Sequence, residues 1–320
     1  MVNVDWREKV LKSTGIFEEG SISVDDLASL VVENRPECIY RYRSGHEGDL
    51  IALQEGYEHL SYPNDYNDPF DARIFFDKEA AIIPGLNDYL NKNMNSGFRE
   101  ALKVLAGKDK LDVYGERADK QLFSRAKKIP ENPEPFKKYF DHISKQCEAV
   151  SLKLEEILDS SLRGVALICS FATNKRNYLM WAHYAKSHKG FCLEYKFPYS
   201  LIDNGFFLPV SYRQGPVDVT HLVRKSWTDN RQVLFSAAMG SALIKGDAWE
   251  YEDEWRYVNF GKRDSRKLKG LKLNRVLVGC NASDQLKNDI LKICYERGVE
   301  VVQMKRSSNS FEVVEGERLL

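Results

Sequence analysis

The chain has 320 residues, of which 43% are hydrophobic and 12% aromatic, so it is long enough to bury a sizeable core in one large domain or two small ones. Lysine plus arginine and aspartate plus glutamate both number 47, and this balance excludes the global positive field that drives generic nucleic-acid binding. Six cysteines without a C-x-x-C pair are typical of buried, reduced thiols and argue against a structural zinc site.

The first elements along the chain are predicted helices. Residues 1–35 form a helical lead-in, because a Ser/Asp cap signal at Ser23 opens an apolar periodic stretch that stops before Pro36. The N-terminus carries charge from Asp5 onward, and no run of about 18 apolar residues occurs in the chain. We therefore expect a soluble, cytoplasmic protein with no membrane partner.

The middle of the chain changes from strand to loop to helix. Residues 38–44, CIYRYRS, predict a first strand, and residues 53–71, rich in Asn, Asp, Pro and Gly, predict a surface loop. Within that loop NDPFD, 67–71, reads as a turn fixed by Asx bonds and Pro69, or as a loop over a ligand. Helical periodicity between about 77 and 160 predicts a helical insertion after the first strand.

Short apolar strands dominate the remainder. The C-terminal part, from 275 to the end, predicts strand, Ser-capped helix and strand. Two helices are predicted between the strands, YLMWAHYAKS and TDNRQVLFSAAMGSALIK. The other strands are predicted at 164–171, 190–197, 207–213 and 251–260. Helices early and strands late indicate an α+β protein with a mixed or antiparallel sheet, in which residues 36–320 form one catalytic-type domain and the helices pack outside the sheet.

The segment Trp249–Val258, WEYEDEWRYV, crowds four carboxylates among aromatics. With a period of two, Trp249, Tyr251, Trp255 and Tyr257 share one face, which predicts a strand whose other face carries Glu250, Glu252, Glu254 and Arg256. Either this is an edge strand whose charges prevent aggregation, or the glutamates form one wall of a site.

Two arginines and a serine are the candidate partners of these glutamates. On a strand, Arg41 and Arg43 point to the same side, and arginine binds phosphate bidentately. They also suit ordinary ion pairs. Ser170 ends an apolar strand and leads into a polar turn. The helix that follows offers aromatic and imidazole side chains that suit either a core or a ligand: Tyr178, Trp181, His183 and Tyr184.

The motifs YRYRS, NDPFD, SFATNKRNYLMWAHYAKSHKGFCLEY and WEYEDEWR, in this order over residues 38 to about 260, resemble a bacterial domain-of-unknown-function family, DUF2971, that is often associated with phage defence. M-W-x-H-Y followed by K-G-F-C-L-E is the most specific part. The family brings no reaction with it.

The order arginine, serine, E-x-E more loosely resembles the ADP-ribosyltransferase superfamily of the arginine–serine–glutamate type, although S-F-A replaces its usual S-T-S. That resemblance implies a split sheet and NAD as the substrate. Arg43 or Arg41 would hold the pyrophosphate and Glu254 would stabilise an oxocarbenium-like ribose, while Ser170 would orient the ribose and Glu252 would act as general base.

In the same resemblance, Tyr178, Trp181 or Tyr184 would stack on nicotinamide, with His183 beside them. It implies transfer of ADP-ribose to a protein or nucleic acid, or NAD hydrolysis, by a toxin-like or phage-defence effector, with an antitoxin or defence partner as a further interaction.

Two other functions remain open at this stage. No G-x-S-x-G, H-E-x-x-H, Walker or G-x-G-x-x-G motif is present. A metal-dependent nuclease would gather Asp65, Asp68, Asp71 and the 250–254 cluster around Mg²⁺. A non-enzymatic module would use Arg41 and Arg43 to bind a phosphate-bearing ligand.

Overall fold

The computed structural model of the protein describes residues 6–17, 23–77, 162–198, 205–226, 230–260 and 266–320, with a few single positions between 80 and 160. The chain divides into two compact units, one of residues 1–73, 163–216 and 239–320 and one of residues 74–162 and 217–238. The predicted helical insertion at about 77–160 belongs to the second unit and lies outside the described residues, so it stays a prediction.

Helices occur in both units of the described chain. The α-helices of the described chain are α1 (Trp6–Ser13), α2 (Val24–Asn34), α3 (Glu47–Glu55), α4 (Tyr178–Tyr184), α5 (Thr220–Ser226), α6 (Asn230–Ser241) and α7 (Asp284–Arg297), and 3₁₀ helices cover Pro63–Asp65 and Asp247–Glu252. Ser23 caps α2 through its side chain and Ser283 caps α7, so both predicted serine caps are confirmed. None of the described helices has the length and apolar character needed to cross a bilayer.

An eight-stranded sheet forms the centre of the first unit, in the order β14-β13-β12-β5-β1-β4-β10-β6. Its strands are β1 (Cys38–Arg43), β4 (Leu167–Ala172), β5 (Phe191–Lys196), β6 (Phe206–Pro209), β10 (Glu254–Asn259), β12 (Leu273–Val278), β13 (Glu300–Arg306) and β14 (Val313–Arg318). Only β12 and β13 pair in parallel within it. The predicted α+β class with a large mixed sheet is confirmed.

Short strand pairs complete the described structure. In the first unit, β2 (Tyr57–His59) pairs with β11 (Lys267–Lys269), and β7 (Ser211–Arg213) pairs in parallel with β9 (Ile244–Gly246). In the second unit, β3 (Ile74–Phe75) pairs in parallel with β8 (Val217–Asp218).

Both faces of the sheet are covered by apolar side chains, because its central strands are apolar at successive positions. One cluster packs around Phe171, Phe191 and Trp255. The other packs on the opposite face around Tyr42 and Trp181. The residues of β10 are buried throughout, and this strand lies between β4 and β6. The interpretation of the acidic segment as an edge strand is therefore wrong.

The strand predicted over Trp249–Val258 is also wrong in its first half. Residues Asp247–Glu252 form a 3₁₀ helix, Asp253 adopts a left-handed conformation with φ 46°, and the strand begins only at Glu254. The two glutamates therefore lie in different elements and do not follow one another along a strand face. The period-two pattern holds only where it continues into Trp255 and Tyr257.

Candidate functional site

A cavity of about 380 Å³ opens where β1 and β4 separate. These strands pair at a single position, Tyr40 with Ala172. Further along β4, Ile168 instead exchanges two backbone hydrogen bonds with Ser61. The interruption between these two points leaves an opening at the edge of β4. The polar and charged residues that line the cavity are Tyr40, Arg41, Tyr42, Ser61, Asp65, Tyr66, Asn67, Asp71, Ser170, Tyr184, Lys245, Glu252 and Glu254.

Arg41 reaches into the opening between the two strands. Its Nη1 donates to the carbonyl oxygen of Ser170 at 2.6 Å. Its buried Nε has no hydrogen-bond partner among the described residues, and it lies 3.7 Å from the Glu58 carboxylate, too far for a hydrogen bond. The side chain is 26% exposed. Arg41 therefore lines the cavity with a side chain that is partly exposed.

Arg43 does not line the cavity. Its guanidinium forms ion pairs with Glu58 and Asp49, and Glu58 also accepts a hydrogen bond from the Tyr195 hydroxyl. The expectation of ordinary ion pairs is confirmed for Arg43. Arg41 is the arginine that faces the candidate site. The sequence could not separate the two, because both occupy the same side of β1.

Two glutamates reach the cavity because the chain turns between them. Glu254 begins β10 and pairs with Ala172 of β4, while Glu252 ends the 3₁₀ helix on the other side of left-handed Asp253. Both carboxylates are buried. Of the two alternatives for this segment, the structure favours the wall of a site, because Glu252 and Glu254 line the cavity.

Two cations neutralise the buried carboxylates. The Lys245 ammonium donates to Glu252 at 2.6 Å and to Glu254 at 3.0 Å, and it lies 3.7 Å from Asp71. Arg256 is 0% exposed and donates to Glu254 through Nε at 2.7 Å and to both oxygens of Asp71 at 2.8 Å. Three carboxylates against two cations leave one excess negative charge next to the cavity.

The environment separates the proton affinities of the two glutamates. Burial raises the pKa of Glu254, but the charges of Arg256 and Lys245 and the hydrogen bonds from Arg256 and Ser170 outweigh burial and lower it well below its usual range. Burial and the neighbouring Glu254 raise the pKa of Glu252, against the opposing effects of Lys245 and of the hydrogen bond from Tyr184. Glu254 therefore stays ionised, while Glu252 binds a proton more readily. Such a divergence is typical of an acid–base pair.

Ser170 contributes both its backbone and its side chain. Its carbonyl oxygen accepts the hydrogen bond from Arg41, and its side chain helps to lower the pKa of Glu254. It pairs across β4 and β10 with Arg256. Ser170 therefore connects the cationic and acidic sides of the cavity.

The candidate residues of α4 lie in different surroundings. Tyr184 lines the cavity and donates its hydroxyl to Glu252 at 2.7 Å. Trp181 is fully buried in the core, with its indole N–H on the carbonyl of Lys175, so it is not free to stack on a ligand. His183 is exposed and contacts Tyr251. Tyr178 is 43% exposed and packs against Phe311, outside the lining of the cavity.

The NDPFD turn supplies a residue whose position the sequence did not reveal. The Asp68 side chain accepts from the Phe70 N–H at 2.8 Å, which confirms the predicted Asx turn. The turn ends at Ala72, which has a left-handed conformation with φ 56°. Asp71, the last residue of the motif, accepts a hydrogen bond from Arg256. Asn67 lines the cavity, whereas Asp68 is exposed and outside its lining.

Lys245 and Tyr66 were missed by sequence reasoning. Lys245 lies in a segment predicted as the end of a helix, but it belongs to β9, which brings it beside Glu252. Tyr66 follows a 3₁₀ turn, and its ring lies 6.0 Å from the Arg256 guanidinium carbon. A lysine among apolar residues in SALIKG, 241–246, was the available signal, because a buried lysine needs a carboxylate partner.

Among the described residues, no group of three or more His, Cys, Asp or Glu side chains has the arrangement of a metal site. Three of the carboxylates that a nuclease would use, Asp71, Glu252 and Glu254, form ion pairs with Lys245 or Arg256. Asp65 pairs with Arg266 at the surface.

A family model described as a protein of unknown function (DUF2971) matches residues 180–257. The chain is similar to this family over that segment, which begins at the cavity-lining Met180 and includes Lys245, Glu252 and Glu254. The match supports the resemblance based on the M-W-x-H-Y and K-G-F-C-L-E motifs. No curated protein and no solved structure matches the chain.

Proposed function

We propose that the cavity binds NAD and that the protein cleaves the bond between nicotinamide and ribose, with transfer of ADP-ribose to an acceptor or to water. One observation carries the proposal. Arg41, Ser170, Glu252 and Glu254, which come from three separate parts of the chain, line one cavity of about 380 Å³. This volume lies within the range of about 300–1,000 Å³ that is usual for small-molecule sites.

The distribution of charge in the cavity fits this substrate. Arg41, which lines the cavity and is partly exposed, suits the pyrophosphate. Glu252 and Glu254 carry the excess negative charge on the side of β10 and suit the cationic nicotinamide–ribose end. The tyrosine rings of the lining, among them Tyr66 and Tyr184, offer surfaces on which a planar ring stacks.

The reaction balances without any further reagent. The C1′–N bond of the nicotinamide riboside breaks, and its electron pair leaves with nicotinamide, which becomes neutral. The ribose carbon gains positive charge in the transition state and then forms a bond with an oxygen or nitrogen of the acceptor, or with water. The acceptor loses one proton to a base as this bond forms.

The two glutamates suit different parts of this reaction. Glu254 stays ionised and, through its carboxylate, stabilises the developing positive charge on ribose. Glu252, with its raised pKa, is better suited to take the proton of the acceptor as general base. Tyr184 and Lys245 fix the orientation of the Glu252 carboxylate through hydrogen bonds. Ser170 holds Glu254 and Arg41 in register.

The separation of β1 from β4 supports the proposal of an NAD site. The resemblance to ADP-ribosyltransferases implies a split sheet with the substrate at the split. The nuclease hypothesis is less well supported, since Asp71, Glu252 and Glu254 are already held in ion pairs with Lys245 and Arg256. A binding module for a phosphate-bearing ligand would use the same Arg41 but would release no product, so turnover separates it from the transferase.

Incubation with NAD, labelled in the nicotinamide ring to follow its release and in the adenylate phosphate to follow transfer of ADP-ribose, alone and with cell lysate, tests the proposal. We expect the wild-type protein to release nicotinamide and Glu254→Gln to lower the rate by about a hundredfold or more. Glu250→Gln is the matched control, because Glu250 is an exposed carboxylate four residues earlier. Circular dichroism establishes that each variant is folded. Absence of nicotinamide release by the wild-type protein under both conditions would refute the proposal.

A second pair of variants tests the assignment of the arginine. Arg41→Lys keeps the charge but loses the planar fork, and we expect it to raise KM for NAD by about tenfold or more. Arg43→Lys is the matched control and leaves KM unchanged, since Arg43 faces Glu58 and Asp49. An equal rise in KM for both would contradict the assignment of Arg41.

The effector role predicted from the phage-defence resemblance needs a test in cells. If cleavage of NAD is toxic, expression of the wild-type protein slows growth and lowers cellular NAD, and Glu254→Gln relieves both effects at equal protein level. If cells that express Glu254→Gln still grow slowly, the toxicity does not come from NAD cleavage and the effector role is contradicted.

A further inference from the structure

Four cations and two aromatic rings form a second distinctive surface, on the side of α4 away from the cavity. The basic–aromatic surface consists of the exposed residues Arg176, Tyr178, Lys186, Lys189, Arg306 and Phe311. Tyr178 lies about 160° around the helix axis from Met180 and about 120° from Tyr184, the residues of α4 that line the cavity. The surface is therefore separate from the proposed NAD site.

Backbone and ring contacts join these residues into one surface. The rings of Tyr178 and Phe311 lie 6.3 Å apart. The Val313 N–H donates to the Arg176 carbonyl at 3.0 Å, and Val313 pairs with Arg306 across β13 and β14. Strand β13, which ends at Arg306, lies near the turn that carries Lys186 and Lys189. Gln303 of β13 donates to the Gly279 carbonyl at 3.0 Å, and the Asn281 N–H donates to the His188 carbonyl of that turn at 2.9 Å.

The backbone of this turn is held in an uncommon conformation. Lys186, Ser187 and His188 are three successive non-glycine residues with positive φ, at 48°, 54° and 65°. Each left-handed residue costs about 1–2 kcal/mol. Backbone hydrogen bonds to the end of α4 hold it, from Ser187 to Ala182 and from His188 to Trp181. The lysines at its two ends are thus carried by a fixed backbone and not by a loose loop.

None of the four cations has an ion-pair partner or a side-chain hydrogen bond in the described part of the chain. By contrast, the nearby basic residues Lys175 and Arg275 are paired, each with both Glu194 and Glu315. Three exposed carboxylates belong to the same hairpin: Glu312, which lies 3.4 Å from the Ser310 hydroxyl, Glu315, which pairs with Lys175 and Arg275, and Glu317, near the far end of β14. The surface therefore keeps a local excess of positive charge on a chain whose net charge is zero.

We propose that the basic–aromatic surface binds a single-stranded nucleic acid. Unpaired cations bind phosphates and release counterions. Phe311 is 89% exposed, so its ring offers a face on which an unpaired base stacks. A duplex hides the faces of its bases, so it gains nothing from such a ring. Tyr178 and Phe311 are the large hydrophobic side chains exposed on this surface, and two rings are a small area for membrane insertion.

The inference stands on the surface alone and needs no NAD cleavage. If the proposed transfer takes place, a bound strand that crosses α4, whose diameter is about 10–12 Å, reaches the cavity and presents an acceptor group there. Binding is measured without NAD, so the failure of one proposal is distinguishable from the failure of the other.

Fluorescence anisotropy of a labelled mixed-sequence oligonucleotide of about 12 nucleotides, with the full chain, tests the proposal. If the four cations contact phosphates, affinity falls about 50-fold between about 50 mM and about 200 mM salt. In Arg176→Gln/Arg306→Gln the same change of salt lowers affinity only about sevenfold. Phe311→Ala weakens binding by between about fivefold and a hundredfold, with little effect on the salt dependence.

Two exposed residues of α7 provide matched controls. Tyr295, 77% exposed, controls for the ring, and Lys292 controls for the charge. We expect Tyr295→Ala and Lys292→Gln to bind like wild type. The proposal is overturned if the oligonucleotide does not bind at about 50 mM salt, or if Phe311→Ala and Tyr295→Ala bind equally. Equal affinity for a duplex of the same sequence, or binding to phosphatidylserine vesicles in place of the oligonucleotide, also overturns it.

Discussion

Arg256→Met tests whether the buried ion network is organised as the contacts indicate. Arg256 is fully buried and donates to Glu254, to both oxygens of Asp71 and to the Ala242 carbonyl. Its removal leaves Asp71, Glu252 and Glu254 with Lys245 alone, so the excess negative charge rises from one to two. Breaking a buried pair in this way costs about 3–5 kcal/mol, because the remaining charge is neither solvated nor paired.

Urea unfolding at neutral pH, followed by tryptophan fluorescence, measures this loss. Trp181 and Trp255 are buried in the unit that holds the network, so their emission reports on its unfolding. Arg266→Met is the matched control, because Arg266 pairs with Asp65 at the surface, where both side chains are nearly half exposed. We expect the control to lose less than about 1 kcal/mol. A loss of less than about 1 kcal/mol for Arg256→Met would refute the electrostatic account of the network.

Three further predictions follow from the site and the core. Lys245→Met should move the acid-side fall in nicotinamide release to higher pH, because Lys245 opposes the rise in the pKa of Glu252, whereas Lys245→Arg should leave the profile in place. Burial raises the pKa of Glu194, but hydrogen bonds from Arg275 and Asn274 and the charge of Lys175 lower it to about 2. Its contribution of about 3 kcal/mol is present above the pKa of the unfolded chain and is lost as pH falls towards 2, so Glu194→Gln should flatten the stability curve between about pH 5 and pH 2. Gly190→Ala should destabilise the protein by more than about 3 kcal/mol, since a Cβ there would lie 2.0 Å from the Arg43 carbonyl oxygen, whereas Gly215→Ala, with nothing within 4 Å, should be neutral in the same urea assay.

The sequence predicted the elements in which local pattern and tertiary surroundings agree. The strand–helix–strand order of β12, α7 and β13 was predicted, because an apolar run, a serine cap and a second apolar run each point to one structure. Strands β1, β4 and β5 were predicted for the same reason. The 3₁₀ helix before β10 was not predicted, because polar and aromatic residues alternate throughout WEYEDEWRYV. This alternation gives no sign of the left-handed residue Asp253.

The residues of the candidate site were predictable only in part. The ordered arginine, serine and glutamates could be selected because charge at the end of an apolar strand requires an explanation. The distinction between Arg41 and Arg43 depends on where β1 leaves β4, and this is set by the pairing of Ser61 with Ile168 more than 100 residues away along the chain. Lys245 and Asp71 likewise reach the network only through tertiary structure.

Stability alone does not account for a buried network of this kind, because well-packed apolar residues often serve a fold equally well. Asp71→Leu/Arg256→Met separates stability from function. It removes one charge of each sign, so Glu252 and Glu254 against Lys245 again leave an excess of one negative charge, as in wild type. We expect the double variant to recover more than about 1 kcal/mol of the stability lost by Arg256→Met in the urea assay. It should still lose at least about tenfold in the rate of NAD cleavage, because Glu254 no longer has the guanidinium that orients its carboxylate beside the cavity. Full activity in a stable double variant would mean that the network contributes only to the fold and that Glu254 needs no fixed orientation.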